Sequence, residues 1–119
     1  MRQKYFGSWS DYAGLVESFF PDYFHEVKPI SLATDDEIVF ASYGGGAYEG
    51  DALVLYERNG QLYEVSGSHC SCYGLEGQWE PEATSWQALQ ERQLYDHDTE
   101  AVDALSALVR ESMAALGGV

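Results

Sequence analysis

The residues able to do chemistry are concentrated in one stretch, Gly67-Ser68-His69-Cys70-Ser71-Cys72-Tyr73-Gly74-Leu75-Glu76-Gly77-Gln78-Trp79-Glu80-Pro81-Glu82, which holds both cysteines. Three readings of its thiols stand. As a zinc centre, His69, Cys70 and Cys72 would supply three ligands to a metal that takes four, or three and a water. The chain has no second cysteine pair, so a fourth ligand would come from His25, His97, Glu76 or Asp96. As a thiol enzyme, Cys70 or Cys72 would need a base within hydrogen-bond reach. On an extended chain Cys70 and Cys72 share one side and His69 faces the other. As structural residues, the two thiols pack as small hydrophobes, and a bridge between positions this close in sequence closes a strained ring. The expectation is reduced structural thiols and no cofactor, with zinc as the alternative and a thiol enzyme behind it.

Two other segments look like ligand loops and fail on composition. Gly44-Gly45-Gly46-Ala47-Tyr48-Glu49-Gly50 is rich in glycine, but a phosphate loop continues into Lys and Ser or Thr at a helix N-terminus, whereas Asp51 and a strand follow here. Asp96-His97-Asp98-Thr99-Glu100 alternates carboxylates like a calcium loop, yet Ala101 and Ala107 occupy the positions that need Gly and a bidentate Glu. The same acids suit a helix N-terminus.

Charge points to a partner. Twenty acidic residues against six basic ones give a net charge of −14, which repels phosphate backbones and excludes direct nucleic-acid binding. An acidic surface either serves solubility alone or meets a basic groove on another macromolecule. The candidate contact residues are Asp35, Asp36, Glu37, Glu49 and Asp51, expected around the glycine loop, and Glu76, Glu80 and Glu82 around Trp79. Trp79 either plugs the core or stands exposed as an anchor. No apolar run approaches the roughly 18 residues that span a bilayer, and the N-terminal residues lack a signal-like apolar segment, so a cytoplasmic location is expected.

The elements that position these residues can be read from pattern. A chain of 119 residues is expected to form one domain, 1–119, around one core. Ser10 caps a helix that runs to Phe20 and ends at Pro21, and Glu37–Tyr43 is a β-branched and aromatic strand. Asp51–Arg58 and Gln61–Ser66 flank Asn59-Gly60, the signature of a two-residue type I′ hairpin. That turn sets Arg58 opposite Gln61, Tyr56 opposite Tyr63 and Val54 opposite Val65 on one face, with Leu53, Leu55 and Leu62 on the other. Thr84 and Gln87 form a capping box for a short helix, and Asp98 caps a last helix striped by Val102, Leu105, Leu108, Val109, Met113 and Leu116. The expected fold is α+β, a three-stranded antiparallel sheet packed against N- and C-terminal helices.

Tyr63-Glu64-Val65 and the run from Ser68 to Glu82 resemble small, mostly uncharacterised proteins encoded by bacteriophages and prophages. The resemblance implies a phage-type accessory protein in a bacterial cytoplasm, a class in which host-defence inhibitors are common. It implies no catalytic residues. Together with the charge, it leads to the expectation of a non-enzymatic module that binds a basic, nucleic-acid-handling host protein, such as a restriction or CRISPR component, and mimics nucleic acid.

Overall fold

The computed structural model describes residues 3–21, 27–45, 49–70, 74–91 and 99–117. The elements run β1 (Tyr5–Gly7), α1 (Tyr12–Phe19), β2 (Ile38–Gly45), β3 (Glu49–Arg58), β4 (Gln61–Cys70), β5 (Glu82–Thr84), α2 (Trp86–Glu91) and α3 (Thr99–Gly117). The α+β class holds, but the expected three-stranded antiparallel sheet does not. Among the described residues the sheet has five strands in the order β1-β2-β3-β4-β5, with β1 parallel to β2 and the remaining pairs antiparallel.

The hairpin forms as its turn dictates. Asn59 and Gly60 sit at φ 53° and 80°, the left-handed values that a type I′ turn requires. Arg58 pairs with Gln61, Tyr56 with Tyr63 and Val54 with Val65, and the ladder continues to Gly50 opposite His69. Strand alternation then feeds two cores. Val54, Tyr56 and Val65 join Leu15 and Phe19 of α1, Trp9, Leu75 and Trp79 on one face. Leu55 and Leu62 join Phe6, Phe40 and the helical residues Trp86, Leu89, Ala101, Leu105 and Val109 on the other. In β2 the register shifts between Ile38 and Phe40. This bulge sends Ile38 to the first core and Phe40 to the second, although residues two apart on a regular strand share a face.

The strands absent from the sequence reading are β1 and β5, three residues each, too short to carry a period-2 signal. Neighbours impose both. The Ala41 amide donates to the Lys4 carbonyl and the Ser8 amide to the Tyr43 carbonyl, which clamps the first segment along β2. Gly7 permits this because it sits at φ 70° and any Cβ there would collide with the Tyr43 carbonyl. Two caps also move by one residue. Asp11, not Ser10, caps α1 by accepting from the Gly14 amide, and Ser85, not Thr84, caps α2 by accepting from the Ala88 amide. Thr84 is occupied in β5, opposite Leu62. The expected cap Asp98 lies outside the described residues.

Candidate functional site

β4 does not end at Ser66 but runs through His69 to Cys70. His69 is half-buried on the α1 face, where the Tyr43 hydroxyl lies 2.9 Å from its Nδ1 and the two rings meet edge-on at 5.3 Å. Gly50, directly opposite on β3, leaves the space that the imidazole occupies, since a Cβ there would strike it. Burial first, and then the nearby Glu76 carboxylate, push the Tyr43 phenol above its usual range. The phenol therefore stays protonated, and which of the two groups donates follows the imidazole tautomer. A groove of about 320 Å³ opens beside this pair, lined by Glu17, Ser18, Pro21, Tyr43, Leu75 and Glu76. Of the three expected zinc ligands only the His69 side chain is described; the Cys70 side chain and all of Cys72 lie outside the described residues. Among those residues no group of three or more His, Cys, Asp or Glu side chains converges as a metal site. His25, Asp96 and His97 also lie outside them.

The segment after the cysteines folds back as a structural loop. Leu75, 1% exposed, and Trp79, 8% exposed, enter the first core, where Trp79 stacks at 5.9 Å on Tyr56 and meets Phe19 edge-on at 5.1 Å. The Gln78 side chain acts like a strand end. Its Oε1 accepts from the Ser68 amide at 2.9 Å, and its Nε2 donates to the Ser68 carbonyl at 2.8 Å and the Gly74 carbonyl at 2.7 Å. Trp79 is thus a core residue, and its reading as an exposed anchor is corrected. An aromatic side chain of this size is worth more against Phe19 and Tyr56 than in water.

The acidic group expected around the glycine loop separates into two places. Asp35, Asp36 and Glu37 stand in the turn that enters β2, whereas Glu49 and Asp51 begin β3 at the other end of the sheet, where Asp51 faces Gly44. Six strand residues at roughly 3.3 Å each put about 20 Å between them. Only the second pair flanks the glycine segment, of which Gly44 and Gly45 are themselves β2 residues. Asp35, Asp36, Asp51, Glu80 and Glu82 are exposed, and Glu82 lies opposite Glu64. Glu76 is half-buried and accepts from the Gly74 amide. The Glu49 side chain lies outside those described.

Glu37 is not free surface charge. Its two carboxylate oxygens each accept from Arg58 at 2.7 Å, one from Nε and one from Nη2, the planar fork geometry of guanidinium and carboxylate. Arg58, with help from the Thr34 amide, holds the Glu37 carboxyl down at about 2. Lys4 is likewise spent on Asp35, at 3.2 Å. Arg58 also donates to the Ile30 carbonyl at 2.9 Å and the Leu32 carbonyl at 3.1 Å, so one side chain ties two turns together. Nothing in local pattern marks Arg58 for this role. Its register opposite Gln61, on the face of Tyr56, is the signal that would place it near the chain entering β2.

Comparison with protein families, characterised proteins and solved structures finds no match to this chain. No helix among the described residues is long and apolar enough to cross a membrane.

Proposed function

We infer that this protein is a non-enzymatic, acidic interaction module that occupies the basic groove of a nucleic-acid-handling partner. With the phage-type resemblance, that partner is a host-defence protein of the restriction or CRISPR kind, and the module acts as a nucleic-acid mimic. The observation that supports the reading is how the basic residues are used. Of six, Lys4 and Arg58 are engaged by Asp35 and Glu37 within the chain, while Asp36, Asp51, Glu57, Glu80, Glu82, Glu91 and Asp103 remain exposed. A field of one sign on a small body steers it toward basic surfaces and away from phosphate.

The test is capture from nuclease-treated bacterial lysate on immobilised protein, followed by elution with salt or with duplex DNA. The expected result is retention of nucleic-acid-binding polypeptides that both eluents release, because DNA and the module compete for one groove. Retention indifferent to salt and to DNA overturns the reading.

A further inference from the structure

The chain has one asparagine, Asn59, and a glycine follows it. The pair forms the tip of the β3–β4 hairpin, exposed and at φ 53° and 80°. A type I′ turn accounts for both residue types, but the same pair carries a reactivity that the turn does not require. Asparagine is among the heat-labile residues, and it is consumed when the next main-chain nitrogen attacks its carboxamide carbon. A glycine at that next position has no side chain to shield the nitrogen. At Gly60 even an added Cβ would meet nothing within 4 Å, and among the described residues none hydrogen-bonds the Asn59 carboxamide. The two residues lie beyond the last ladder pair, Arg58 with Gln61, at an exposed end where local opening costs little.

The place of the turn decides the consequence. Arg58, the residue before Asn59, forks onto Glu37 at 2.7 Å and holds the Ile30 and Leu32 carbonyls. Its side chain is aimed by the register that the two-residue turn sets. An extra main-chain carbon in so short a turn displaces Arg58 relative to Gln61.

We propose that Asn59 is a site of spontaneous deamidation in the native protein, and that its isoaspartyl product loosens the Arg58 clamp on the Ile30–Glu37 loop. The Gly60 nitrogen bonds to Asn59 Cγ and the Cγ–Nδ2 bond breaks. Ammonia leaves with the Gly60 amide proton, and a cyclic imide remains. Water then adds to one of the two imide carbonyls. Addition at Cγ, with cleavage of its bond to the Gly60 nitrogen, gives aspartate. Addition at the main-chain carbonyl carbon, with cleavage of that carbon from the nitrogen, routes the chain through Cγ and gives isoaspartate, one main-chain carbon longer. Water is the only co-reactant. Either product adds one negative charge at the tip, and only the second lengthens the turn.

The test ages the folded protein and a urea-unfolded sample in mildly alkaline buffer, and follows both by peptide mass mapping and by labelling with an isoaspartate-specific methyltransferase. The isoaspartyl form is then isolated by ion exchange and compared with freshly purified Asn59→Asp, which carries the charge without the longer chain. The expected result is isoaspartate at position 59 in the folded protein, formed no more than about tenfold slower than in the unfolded chain. In the isolated isoaspartyl form the Arg58 Nε–H resonance is displaced and the melting temperature at pH 7 falls, whereas Asn59→Asp keeps both near wild type. Formation more than about tenfold slower in the folded protein overturns the site. Aspartate as the sole product, isoaspartate that leaves the Arg58 resonance in place, or an equal displacement in Asn59→Asp overturns the loosening of the clamp.

Discussion

Two loops cover the same face of the sheet and are held by different physics. Gly74–Trp79 is fastened by burial: Leu75 and Trp79 enter the core, and Gln78 satisfies the backbone of Ser68. Ile30–Glu37 is fastened by polar side chains, with Arg58 reaching Glu37 and the carbonyls of Ile30 and Leu32 and the Tyr56 and Tyr12 hydroxyls reaching those of Ser31 and Ala33, while only the small Ala33 is fully buried in the core. The first loop hides its large apolar side chains, whereas the second keeps its turn fixed while Ile30 remains in water. Holding a loop by backbone acceptors and an ion pair leaves its side chains available for a partner, and makes it answer to pH and salt. A loop held by packing has neither property.

The contrast can be broken by mutation. Trp79→Ala removes the ring that links Phe19 to Tyr56, and the expected loss in denaturant unfolding is about 3–5 kcal/mol; a loss under roughly 1 kcal/mol would show that the packed loop is not core. In Gly67→Ala, the new Cβ lies 3.0 Å from Leu75 Cδ2 and 3.2 Å from Gln78 Oε1. Overpacking of that kind costs roughly 1–3 kcal/mol, and the melting temperature should fall accordingly. Gln78→Ala removes three hydrogen bonds to backbone groups at a partly wet edge, for an expected loss of about 1 kcal/mol.

The smallest effect sharpens the electrostatic side. Because Glu37 is held at about 2 against an ordinary 4.5, its pairing contributes stability that is fully present above pH 4.5 and fades as pH falls toward 2. Wild type should therefore exceed Glu37→Gln in melting temperature at pH 7, by less than Trp79→Ala costs, and the two should converge near pH 2. A difference that persists there would point to a steric effect of the amide. Trp79→Ala, by contrast, should cost a similar amount at both pH values wherever the protein stays folded.

The hairpin was legible in the sequence because Asn59-Gly60 admits one turn type and strand alternation then assigns every side chain to a face. Counting outward from that turn also reaches Gly50 opposite His69, so half of the Tyr43–His69 contact was within reach. The end of β4 was not, because Gly67, Ser68 and His69 read as loop composition while their ladder to β3 continues. Asp35, Asp36 and Glu37 are near Glu49 and Asp51 in sequence, but β2 runs between them and sets the two groups at opposite ends of the sheet.

What the sequence alone determined is the α+β class, the register of β3 and β4 and the excess of carboxylates, all of which follow from local conformational preference, periodicity and composition. Only the tertiary structure decided that three-residue segments become β1 and β5, because so short a strand is stable only against a neighbour already in place. It also decided that Trp79 turns inward and Ile30 outward. Both residues are large and apolar, and their fates differ because one meets Phe19 and Tyr56 while the other sits on a backbone that Arg58 holds against the sheet.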